Sequence, residues 1–81
     1  MIEIQMLPMV QDKEGSRIAG SQPWDLPNHA DWFDVIVKTT DFVSGQIDVI
    51  EEHEELTEEE AYRAVETLEQ KYPDAGVEIL W

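Results

Sequence analysis

The sequence predicts an α+β fold: a single small domain over residues 1–81, with a mainly antiparallel β-sheet and one helix packed on one face, in the order β-β-β-α-β. Three observations carry this. Apolar and polar residues alternate at period two in several short runs, the mark of half-buried strands. One later segment switches to a 3.6-residue period behind a helix-start signal. The chain has 81 residues, enough for one core and not two.

Residues 1–10 read as the first strand. Ile2, Ile4 and Met6 alternate with Glu3 and Gln5. Pro8 donates no ladder hydrogen bond, so the strand is expected to end there or to run along an edge. Residues 11–31 read as a long irregular loop, punctuated by Gly15, Gly20, Pro23 and Pro27. A short strand at Arg17-Ile18-Ala19 interrupts it, and Trp24, Leu26 and Trp32 pin it to the body.

Phe33 to Thr39 is the clearest strand, with Phe33, Val35 and Val37 on one side. A turn from Asp41 to Gly45 leads into Gln46 to Glu52, where the alternation resumes; the pair reads as an antiparallel hairpin. Thr57 is the expected N-cap of the helix, and Glu60 completes a capping box. Ala61, Ala64, Val65, Leu68 and Tyr72 share one face. Pro73 ends the helix. Val77 to Trp81 forms the last strand. If that strand lies parallel to the third, the crossover between them is right-handed.

Charge is the outstanding property. Nineteen acids face five Lys and Arg, for a net charge of −14. Residues 1–40 hold six acids and three bases, whereas residues 41–81 hold thirteen and two. Direct binding to nucleic acid or to an anionic membrane is excluded on this balance, because phosphate contact is driven by positive charge. A basic protein partner is favoured, since long-range attraction speeds the encounter. No apolar run reaches the ~18 residues of a membrane span, and no signal-peptide pattern opens the chain. A cytosolic location is the expectation, in the host cell if the protein is phage-encoded.

The chemistry of enzymes is not written here. There is no cysteine, no Gly-rich phosphate loop and no G-x-S-x-G elbow. Ser16, Ser21 and Ser44 sit among turn residues. His53 lies among glutamates and His29 precedes Asp31 and Asp34, but zinc spacings and the twelve-residue calcium loop are missing. Neither a catalytic site, a metal nor a cofactor is expected.

The segment that stands out is Glu51-Glu52-His53-Glu54-Glu55-Leu56-Thr57-Glu58-Glu59-Glu60, with seven carboxylates in ten residues. Capping and solubility explain part of it. On helical spacing Glu59, Glu66 and Glu69 gather beside Tyr62, and Arg63 is placed to pair with Glu59. A carboxylate array of this kind can imitate a nucleic-acid backbone and occupy the basic groove of a larger protein, such as a nucleic-acid-binding complex. Certain small acidic inhibitors of phages and mobile elements, anti-CRISPR proteins among them, act in this way. The chain is similar to these in size, charge and fold style, and no motif ties it to a named family. The expectation is a protein-binding inhibitor whose field comes from Glu51, Glu52, Glu54, Glu55, Glu58, Glu59, Glu66 and Glu69, with Tyr62 or Trp24 as apolar anchor. The alternative is a structural or oligomeric accessory protein, a homodimer for example, in which a hairpin or the last strand pairs with a second copy and acidity serves solubility.

Overall fold

A computed structural model describes residues 1–81. The elements are β1 (Ile2–Asp12), β2 (Gly15–Ile18), β3 (Trp32–Thr40), β4 (Ile47–Leu56), α1 (Glu58–Lys71) and β5 (Gly76–Ile79). They build one five-stranded sheet, mostly antiparallel, with α1 across one face. The order is β-β-β-β-α-β; the strand beyond the expected β-β-β-α-β order is the short one within the first loop.

β1 is the central strand and does not stop at Pro8. One edge pairs antiparallel with β3 along Ile2 to Met9. The other edge is shared: residues 3–6 pair parallel with β5, and residues 9–12 pair antiparallel with β2. Pro8 sits at the seam. The Met6 carbonyl accepts from Leu80 N–H (3.1 Å) and the Pro8 carbonyl from Ala19 N–H (2.8 Å). A residue's nitrogen and carbonyl point to the same side of a strand, so the missing Pro8 N–H falls between β5 and β2, where no ladder partner is lost.

Two other boundaries move. The short strand runs from Gly15 to Ile18, not from Arg17 to Ala19, because it completes a tight hairpin with β1. The irregular segment therefore shrinks to residues 19–31. The fourth strand runs to Leu56 instead of ending at Glu52, so most of the acidic run is strand. Pairing with β3 overrides the poor strand propensity of glutamate, at the expense of two register shifts, between Val37 and Lys38 and between Phe33 and Val35. The second shift places Glu55 at φ 57°. Its N–H donates to Asp34 Oδ1 (3.1 Å), and Trp32 Nε1 donates to the same oxygen (3.0 Å).

The last strand runs parallel in direction to β4 but bonds to β1, two strands away. Its regular part ends at Ile79, and Trp81 lies beyond it. The Trp81 ring meets Phe33 edge-on at 5.1 Å.

The core lies between helix and sheet. Ile4, Met6, Phe33, Val35 and Val37 from the sheet meet Ala61, Val65 and Leu68 from α1. Only ten of 81 residues are buried, so this single layer supplies nearly all the hydrophobic stabilisation. The capping box forms as the sequence predicts: Thr57 Oγ1 accepts from Glu60 N–H, and Glu60 Oε1 accepts from Thr57 N–H. Replacing Thr57 by alanine is expected to lower stability by about 1 kcal/mol, read as a fall in melting temperature of about 4–8 °C. An unchanged melting temperature would show that tertiary packing alone fixes the helix start.

Candidate functional site

Structure divides the acidic residues into two arrays. The β4 array is Glu51, Glu52, Glu54 and Glu55. Glu51 lies opposite Val37, on the face that carries α1, and Glu52 lies opposite Ile36 on the other face. Glu51 is engaged: the Tyr72 hydroxyl donates to it, Lys71 Nζ lies 2.9 Å away and His53 Nε2 3.5 Å away. The Tyr72 and Lys71 hydrogen bonds hold its carboxyl below the ordinary range. In turn the Glu51 carboxylate raises Tyr72 and Lys71. Glu51 thus ties β4 to the C-terminal end of α1, a structural role. Glu54 and Glu55 occupy the second register shift and are exposed.

The helix array lies on the opposite flank of α1. Lys71 reaches Glu51, so its flank faces β4. Glu58 accepts from Trp81 Nε1 (3.1 Å), so its flank faces the C-terminal segment. Tyr62, Glu66 and Glu69 follow Glu58 at spacings of four, eight and eleven residues and share its side. Glu59 pairs with Arg63 at 2.6 Å, as the spacing predicts. Glu66 and Glu69 are exposed and unpaired, and Tyr62 is exposed one turn before Glu66, between it and Glu58.

Trp24 belongs to neither array. It sits in the 19–31 segment beside the β1–β2 turn, on the far side of the sheet from β4, with the Arg17 guanidinium 5.9 Å from its ring centre. Arg17 also makes a bidentate pair with Asp25 (2.6 and 2.7 Å) and bonds Asp12 (3.1 Å). Asp25 accepts further N–H groups from Gly20 and Gln22. The segment that looks irregular in sequence is organised around this one carboxylate.

Five carboxylates pair with Lys or Arg: Glu3, Asp12, Asp25, Glu51 and Glu59. The other fourteen have no such partner. Asp25, Asp41, Glu51 and Glu60 are all pushed below the ordinary carboxylate range by the hydrogen bonds they accept. These groups stay ionised near neutral pH; a general acid needs the opposite displacement. His29 meets Asp31 at 3.3 Å, while Asp34 is committed to Trp32 and Glu55.

No protein-family profile, curated protein or solved structure matches the chain. No helix is long and apolar enough to cross a membrane.

A second exposed feature escaped the reading of the sequence. Phe42 and Val43, in the β3–β4 turn, are 79% and 98% exposed. Asp41 builds that turn, accepting from Val43 N–H and, at its carbonyl, from Gly45 N–H, and Gly45 supplies the required φ of 73°. Two bulky apolar residues where turns favour Asn, Asp, Ser and Gly were the available signal.

Proposed function

We propose that this chain is an acidic protein-binding module that docks on a basic surface of a larger protein, and acts by occupancy, not catalysis. In its sharper form it is an inhibitor of the anti-CRISPR kind that takes the place of nucleic acid on that surface. The carrying observation is the fourteen carboxylates without a Lys or Arg partner. A net charge of magnitude ~2–8 suffices to keep a small domain soluble; this chain carries −14.

The helix array is the better docking surface. Glu66 and Glu69 are unpaired and Tyr62 offers an apolar contact beside them, whereas Glu51 on β4 is already engaged. Density limits the imitation of nucleic acid. With Glu59 compensated by Arg63, Glu58, Glu66 and Glu69 span about 16 Å of helix. That is roughly one charge per 5 Å, against one per ~3.4 Å along a single DNA strand and ~1.7 Å along a duplex. The geometry favours a partner that reads a sparse acidic row with an aromatic within it, over one requiring a full duplex backbone.

The test compares wild type with the E59K/E66K/E69K variant in capture from the source cell. Wild type should retain a basic protein, with binding that weakens as salt rises and that duplex or single-stranded DNA displaces. The triple variant should bind the same protein at least tenfold more weakly, mainly through slower association, while still unfolding in one cooperative transition, a little lower because Glu59 leaves Arg63 and the helix start. Equal affinity in the two proteins refutes the docking reading; binding that DNA leaves undisturbed removes its mimic form alone.

A further inference from the structure

The sheet face opposite α1 has no covering layer. The side chains of Leu7, Met9, Ile18, Ile36, Ile47 and Val49 alternate onto it, as the cross-strand pairs Met9↔Ile18, Lys38↔Val49 and Thr40↔Ile47 require. Trp32, paired with Met9, belongs to the same face. Leu7, Met9, Trp32 and Ile36 are only half-buried, and Ile47 and Val49 are 58% and 52% exposed. The row runs from β2 to β4 and ends beside the Phe42-Val43 turn.

Part of the negative charge on this face is engaged within it. Glu3 is paired with Lys38 (3.5 Å), Glu78 accepts from Gln5 (3.3 Å), and Asp34 is spent on Trp32 and Glu55. Glu52, opposite Ile36, and Glu54, across from Asp34, are exposed here without a partner. The helix array lies on the other side of the molecule.

We infer that this face is the interface of a homodimer, in which two sheets pack face to face and leave both helices outward. Area permits it: the molecule is a slab of 37 × 29 × 17 Å, so a broad face offers on the order of 1,000 Å², against the ~800 Å² per partner of a standard interface. Charge constrains it: for two copies of net charge −14, this is the approach that keeps the exposed helix arrays apart. Sheets stacked in this way sit ~10 Å apart, close enough for the half-buried residues to interdigitate. The dimer goes beyond the docking role and does not depend on it, because both arrays of helix carboxylates stay free.

The two associations have opposite salt dependence. Docking on a basic partner weakens with salt, whereas self-association of an acidic chain tightens as salt screens repulsion. Sedimentation equilibrium of the full chain should therefore show a dimer whose dissociation constant falls severalfold between about 0.05 and 0.5 M NaCl. I47K/V49K, at positions already exposed, should keep the circular dichroism of the wild type and raise that constant at least tenfold. E59K/E66K/E69K should leave the dimer intact. A chain that stays monomeric up to about 1 mM in high salt overturns the inference, as does a dimer indifferent to I47K/V49K or one that weakens with salt.

Discussion

Shortening Leu68 to alanine is expected to remove about 3 kcal/mol of stability and to lower the melting temperature by about 12–24 °C. Leu68 is 3% exposed and is the largest of the three buried side chains that α1 presents to the sheet; the others are Ala61 and Val65. Ala61 offers little bulk, so Val65 and Leu68 make most of the helix–sheet contact. Removing one leaves a cavity against Ile4, Met6, Val35 and Val37, all on rigid paired strands that collapse poorly into it. A domain of this length has about 4–12 kcal/mol in total, so one substitution removes a quarter or more. Denaturant melts followed by Trp fluorescence measure it. A loss under 1 kcal/mol would mean that α1 is held chiefly by its ties at the two ends, Trp81 to Glu58 and Lys71 and Tyr72 to Glu51.

Replacing Asp25 by alanine should release the 19–31 segment while leaving the sheet and helix folded. Four hydrogen bonds converge on this carboxylate, two from Arg17 and one each from the Gly20 and Gln22 amides. Asp12 still holds Arg17 through Nε (3.1 Å), but the Gly20 and Gln22 amides lose their acceptor. Hydrogen exchange should accelerate at Ala19, Ser21 and Asp25 and remain slow across β1 and β3. The same site predicts an acid limb. Asp25 is held below its usual 3.8, by the Arg17 hydrogen bond first. A carboxyl with a depressed folded-state pKa supplies stability above its unfolded value and loses it as pH falls through the folded one. Order in the 19–31 segment should thus be complete above about pH 3.8, the ordinary Asp value, and be lost in wild type as pH falls further through the lowered folded one, with no such loss in the alanine variant. Exchange that is equally fast before and after the substitution refutes the central role of Asp25.

Most of the architecture was legible because the chain is consistent across levels. The alternation of Ile2, Ile4 and Met6, and of Phe33, Val35 and Val37, leads directly to the observed core. Thr57 and Glu60 place the helix start to the residue. Less legible were Pro8, the end of β4 and the partner of β5. In each case a local rule met a non-local one. Pro8 opposes a strand only if its N–H is needed, and the two short neighbours β5 and β2 leave a seam where it is not. Glu51 to Glu55 have poor strand propensity, yet pairing with β3 extends the strand through two register shifts. The candidate site was legible as composition and not as placement: seven carboxylates in ten residues look like one surface, but a strand and a helix side divide them.

By itself the sequence determined the fold class, the helix with its cap, the core face of β1, β3 and α1, and the excess of negative charge. These depend on period, capping chemistry and counting, all local properties of the chain. Tertiary structure alone decided that β1 is central, that Arg17 and Asp25 organise the loop, that Glu51 is a structural tie and that Glu66 and Glu69 stand free. It also decided that the second sheet face, with Ile47 and Val49, is left without a covering layer. Alternation states that a strand has two faces; which of them receives the only helix depends on where the crossover from β4 to β5 passes, and that is set by the packing of the whole sheet.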